Sequence, residues 1–152
     1  MTTASKLSLA AFVALPLLGG AAIGVTASPD AWYAALQKPF FNPPDWVFGP
    51  VWTVLYIMIG ISGALAYHSD ARTRLIPLWV VLALLNGGWS ILFFRMHQPG
   101  SALIVVACML MMILVYIARA WWPARLAALL FLPYAAWVAF ATLLNGAIVM
   151  LN

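Results

Sequence analysis

Apolar residues run along this chain in long blocks, and the charged positions that interrupt them recur at intervals matching the thickness of a bilayer. A hydrocarbon core of about 30 Å takes about 20 apolar residues per helix. Five stretches reach that length: residues 7–25, 46–67, 75–94, 101–118 and 126–151. None alternates polar with apolar as a barrel strand does, and an open sheet would leave its edges unpaired in hydrocarbon, so each stretch predicts a helix. The expected fold is an all-α membrane protein: one domain over residues 1–152, a bundle of five transmembrane helices with a long structured first loop at 26–45. The first stretch has an alternative as a secretory signal, with Val25, Thr26 and Ala27 as a small-residue cleavage site. Its leading region holds only Lys6 as a charge, which favours a retained span.

Composition agrees. Charged residues make up 7% of the chain against about 25% in a soluble domain, which excludes a water-soluble globule. The eight Trp, eight Phe and five Tyr outnumber all charged residues. Seven basic residues stand singly rather than on one solvated face, so no nucleic-acid partner is expected. Basic residues near span ends favour the cytoplasmic side. Lys6, Arg72, Arg74, Arg119 and Arg125 share the N-terminal side, against Lys38 and Arg95 opposite, which predicts a cytoplasmic N-terminus.

The spans have no interior Asp, Glu, Lys or His, so a proton-coupled pump, a carboxylate-lined channel and a voltage sensor are poor readings. His68 and His97 lie in loops far apart, without carboxylates or a second cysteine beside Cys108, so neither a metal nor a resident cofactor is called for. No acid–base pair supports conventional catalysis, and no catalytic residue is assigned on that ground. Polar and aromatic side chains nevertheless recur at helical spacing. Asn86 is followed by Trp89 and Phe93; Tyr134, Trp137, Ala141 and Asn145 share one face; Trp52, Tyr56 and Gly63 share another. Converging stripes would wall an aromatic cavity for a flat apolar ligand. Packing between helices is the competing reading, and spacing alone favours it. Met109, Met111 and Met112 read as packing. Small residues four apart, Gly20 with Gly24 and Ala83 with Gly87, suit either close intrachain contact or a homodimer seam. Pro16 and Pro133 should kink their spans, whereas Pro50 should fall in a first turn.

The first loop, within SPDAWYAALQKPFFNPPDWVFGPVW, interleaves prolines with aromatic rings. Loops of this length in compact proteins are often lids. Ser28-Pro29-Asp30 before WYAALQ predicts a short helix with Pro at its first position. A stiff aromatic loop could cap a cavity or form an interfacial belt.

Residues 38–56, KPFFNPPDWVFGPVWTVLY, resemble the translocator protein family, also called the tryptophan-rich sensory protein or peripheral benzodiazepine receptor family. Residues 86–94, NGGWSILFF, and 132–145, LPYAAWVAFATLLN, agree in order and spacing. The resemblance implies a five-helix bundle, often dimeric, in a bacterial cell membrane or its organellar counterpart. It further implies an interior pocket under the first loop that binds porphyrin or haem-type tetrapyrroles, sterols and benzodiazepine-site ligands. Carried over residue by residue, the ligand-binding set is Tyr33, Trp52, Asn86, Trp89, Trp137, Ala141 and Asn145, with Ala83 and Gly87 as the dimer interface. It also implies an alternative, light- and oxygen-dependent porphyrin breakdown with Trp52 and Trp137 in the catalytic role. The C-terminal sterol pattern of eukaryotic relatives needs a Tyr and then a basic residue. None follows Arg125 here, so the resemblance does not bring sterol binding by that route.

Overall fold

The computed structural model describes residues 3–152, and every regular element among them is helical. Five segments are long and apolar enough to cross a bilayer: Ser5–Thr26, Asp45–Tyr67, Arg72–Arg95, Pro99–Ala120 and Arg125–Leu151. The elements are α1 (Thr3–Thr26), α2 (Ala31–Ala35), α3 (Asp45–Tyr67), α4 (Arg72–Ser90), a π turn (Ile91–Arg95), α5 (Pro99–Ala120), α6 (Arg125–Leu130) and α7 (Leu132–Leu151). The third span starts at Arg72 rather than at 75, because backbone hydrogen bonds continue past the last apolar residue. By the same extension α3 begins at Asp45, which puts Pro50 in its second turn and not its first. Pro29 precedes the cap of α2 instead of opening the helix; the Asp30 carboxylate accepts from the Tyr33 N–H and makes Asp30 the N-cap.

Proline acts differently in the two spans where a kink is expected. α1 runs through Pro16 uninterrupted. The fifth span divides into α6 and α7 just before Pro133, where the Phe131 N–H turns back to the Ala128 carbonyl at 3.1 Å. That tightening leaves the Ala127 carbonyl without its helical donor, and Ser62 of α3 donates to it at 2.9 Å. Ser62 also pairs with the Tyr116 hydroxyl at 2.9 Å, so one hydroxyl joins α3, α5 and α6 in the core. Beside this tie Tyr116 stacks on Phe131 with centroids 4.0 Å apart.

Helix α5 packs between α4 and α7, while α1 lies outside against α3 and touches α4 less. No described residue of α1 is buried. Its contact with α3 is nonetheless close: a Cβ on Gly60 would stand 2.5 Å from the Val13 Cα and 2.6 Å from the Phe12 carbonyl oxygen. At one end of the bundle the Ser8 hydroxyl meets His68 Nε2 at 2.7 Å. At the other, Arg95 donates to the Thr26 carbonyl at 3.3 Å. The helical run of α4 and the π turn ends there, and His97 adopts φ +55°, in the left-handed region, immediately before the Gln98-Pro99 start of α5.

Candidate ligand site

The loop over residues 26–45 folds onto the bundle through α2. Tyr33, 4% exposed, is inserted against Phe93 and Phe94, and its hydroxyl donates to Asn42 Oδ1 at 3.4 Å. Burial, followed by the charge of Asp45, pushes the Tyr33 pKa up, so the phenol stays protonated. Trp32 stacks on His97 at 4.4 Å, and His97 Nε2 lies 2.9 Å from Asp30 Oδ2. The Tyr33 backbone N–H holds the Asp30 carboxyl below the usual carboxylate range, with the His97 hydrogen bond adding to it. Asn152 fixes the loop just past α2 by accepting from the Gln37 N–H at 3.0 Å and donating to the Gln37 carbonyl at 3.1 Å.

Under this loop lies a cavity of about 490 Å³ between α1, α3 and α4, within the range of small-molecule sites. Tyr33, Trp52, Tyr56, Trp89 and Phe94 supply aromatic wall, and Gly24 of α1 leaves its side open. Trp52 stacks on Tyr56 at 5.4 Å and lies 6.3 Å from Trp89. Asp45 is the one charged side chain among the described lining residues. The chemistry on offer is therefore stacking and hydroxyl hydrogen bonding, with no nucleophile–base pair. Among the described residues no group of three His, Cys, Asp or Glu could hold a metal ion.

The site residues expected from the sequence divide between two compartments. Tyr33, Trp52 and Trp89 line the cavity and also a second void of about 30 Å³ on the α7 side. Trp137, Ala141 and Asn145 line only that small void, with Phe48 standing 5.9 Å from Trp137. Asn145 joins helices: its Oδ1 accepts from Trp89 Nε1 at 3.2 Å and its Nδ2 donates to the Pro99 carbonyl at 2.8 Å. Asn86 lines neither compartment; its Oδ1 accepts from the Tyr56 hydroxyl at 3.0 Å. The amide thus acts on the cavity through Tyr56. Ala83 is exposed, and Gly87 faces α1, where a Cβ would lie 3.1 Å from Ile23 Cδ1. Gly20 is held by intrachain packing, since a Cβ there would overlap the Tyr56 ring. Met109 packs in the core and accepts from the Tyr134 hydroxyl, whereas Met111 is 63% exposed and does not pack.

Sequence reasoning missed the contribution of α1 (Leu17, Ala21, Gly24), together with Phe48, Phe94 and Asp45. The Gly20 and Gly24 spacing was the available signal, but a small residue marks close approach or open space alike.

Fold and cavity together define a class: an integral multi-pass membrane protein with an aromatic cavity lined in part by its first loop and little charge inside it. Residues 12–151 match the model of the TspO/MBR family. The chain is 38% identical over 149 residues to the tryptophan-rich protein TspO of Archaeoglobus fulgidus, covering 95% of both chains. It is 38% identical over 152 residues to that of Chlorobaculum tepidum, covering 96% of each. The human translocator protein is 38% identical over 125 residues, 75% of this chain and 70% of the relative. The chain belongs to the TspO/MBR family.

Proposed function

We propose that this protein is a receptor-like membrane protein that binds flat, hydrophobic tetrapyrroles of the porphyrin type, and benzodiazepine-site ligands, and serves tetrapyrrole sensing or transport. The observation that carries this reading is the lidded cavity of about 490 Å³ walled by Tyr33, Trp52 and Trp89. Aromatic rings favour a planar conjugated ligand by offset stacking and edge contact. Trp137, Ala141 and Asn145 join the site when the rings of Trp52 and Phe48, which line both voids, turn aside for a macrocycle. The protein works in a bacterial cell membrane with its N-terminus in the cytoplasm, as a homodimer.

Titration of the detergent-purified protein with protoporphyrin, followed by tryptophan quenching, tests the reading. Saturable one-site quenching weakened by Trp52→Phe is the expected result. Unsaturable quenching, equal in all variants, would mean partition into the micelle and overturn it. Since no His or Cys lines the cavity, metal-free porphyrin should bind about as well as haem. A strong haem preference with a coordinated-iron spectrum contradicts that expectation.

The enzymatic alternative, breakdown of a bound porphyrin under light and oxygen with Trp52 and Trp137 as redox participants, is favoured by one observation: Trp52 lines the cavity itself and shares the smaller void with Trp137. Turnover lost in Trp52→Phe with binding retained supports it, and unchanged turnover removes it.

A further inference from the structure

We infer that the lid carries its own membrane anchor: the turn at residues 39–42 and the start of α3 are seated in the bilayer interface, with Phe40, Phe41 and Trp46 facing lipid. The aromatic residues of this loop fall into two sets. Trp32, Tyr33 and Phe48 pack on the bundle. Phe40 is 100% exposed, Trp46 75% and Phe41 39%. Phe41 touches Phe140 of α7 at 6.3 Å and Phe40 at 5.4 Å, so the exposed pair forms a knob on the bundle's flank rather than a tip above it.

The level of that knob follows from helix geometry. The hydrogen bond from Ser62 to the Ala127 carbonyl places those two residues side by side. From Ser62, Asp45 stands about 26 Å up α3 at ~1.5 Å per residue, and the same rise from Ala127 reaches Leu144. Arg125 marks the hydrocarbon boundary at the opposite end, and about 30 Å of core measured from it reaches Asn145 on α7. Phe140, which Phe41 touches, lies about 7.5 Å inside that level, a depth that a ring side chain spans. Phe40, Phe41 and Trp46 therefore sit where the acyl chains meet the headgroups, the depth at which amphipathic rings concentrate. The neighbouring α7 side chain Leu143, 69% exposed, shows that the flank there is apolar and unpartnered within the chain. The Lys38 ammonium and Asp45 carboxylate lie beside this set in sequence, at a depth from which charged groups reach the headgroups. The occupant that fits is the lipid surface, continuous with the lipid already surrounding α3 and α7.

The anchor adds to the contacts that α2 and Asn152 already make, and it implies that opening the cavity requires drawing rings out of the interface. A probe reads it directly. Phe40→Cys, in a Cys108→Ser background, is labelled with an environment-sensitive fluorophore and reconstituted into phosphatidylcholine vesicles. Leu143→Cys serves as the lipid-facing reference and Asp70→Cys as the aqueous one. The Phe40 probe should show the blue-shifted emission of the Leu143 probe. It should be quenched by chains brominated near the glycerol end more than near the terminus, and escape aqueous iodide. Emission and iodide quenching like those of the Asp70 probe would overturn the inference. So would a blue-shifted probe that neither brominated lipid nor iodide quenches, since that would place the knob against a second copy of the chain. Because Phe40 is fully exposed, its replacement leaves the fold intact, and retained helicity by circular dichroism checks this.

Discussion

Gly60 allows the backbones of α1 and α3 to touch, and the neighbours a Cβ would meet there are main-chain atoms of Phe12 and Val13, which cannot rotate away. Gly60→Ala should therefore destabilise the protein by about 1–3 kcal/mol, the usual cost of overpacking. Gly88→Ala is the matched control: nothing lies within 4 Å of its Cβ position. Alanine there should gain up to about 1 kcal/mol from helix propensity. Thermal unfolding in detergent should separate the two in opposite directions. Asp45 is the residue whose charge bears on binding, since it lines the cavity. A ligand with carboxylate tails is repelled by it, and neutralising one charge near a wet mouth is worth about 1 kcal/mol. Asp45→Asn should thus tighten protoporphyrin binding roughly fivefold while leaving an uncharged ligand unaffected. Equal changes for both ligands would mean that the variant moved the lid instead.

At the scale of elements, the five spans were legible because hydropathy and helix length are both properties of a local run. The break between α6 and α7 was legible in Pro133, but its consequence was not. That Ser62, far away in sequence, supplies the donor for Ala127 depends on packing that no local pattern encodes. Ser62→Ala leaves that carbonyl unpaired in the core and the Tyr116 hydroxyl with only its longer bond to the Ser62 backbone carbonyl at 3.5 Å, so a loss of about 1–3 kcal/mol is expected by thermal unfolding. The lid is joined to the π turn region by Asp30 and His97. Asp30 has a lowered pKa in the folded chain. Its contribution is therefore fully present above the ordinary carboxylate value of 3.8 and is lost as pH falls through the lower folded value. Tyr33 works in the opposite sense: with its pKa raised, its contribution is present below pH 10 and is lost as pH rises through the folded value. Amide exchange of α2, taken relative to the intrinsic rate at each pH, should accordingly be slow across neutral pH and accelerate at both extremes. Asp30→Ala should speed it at neutral pH, by removing both the cap and the His97 contact.

For the whole molecule, the aromatic stripes fitted packing as well as a cavity, and they did not place the cavity, because the one periodic marker on α1, Gly20 with Gly24, suits close approach and open space alike. Trp52 and Trp89 could be read from motif and spacing, and Tyr33 only from the family resemblance. That Asn86 and Asn145 join helices through Tyr56, Trp89 and Pro99 could not, since an amide in hydrocarbon needs a partner whichever helix provides it. The same ambiguity surrounds the small residues of α4, and here the fold separates the two positions. Gly87 already has an intrachain neighbour in Ile23, so Gly87→Leu would strike α1 and lower the stability of a lone protomer. Ala83 is exposed, next to Leu84 at 70% exposure. A leucine at that position is at home in lipid and should leave the protomer's unfolding temperature unchanged. If two copies meet along α4, however, the added bulk separates helices that rely on close approach, because lipid chains offer no hydrophobic drive to hold them. The expected outcome for Ala83→Leu is loss of the dimer by light scattering in detergent and by single-molecule photobleaching in bilayers, with cavity ligands still bound. A dimer that survives Ala83→Leu but not a substitution on the exposed face of α5 would move the seam there.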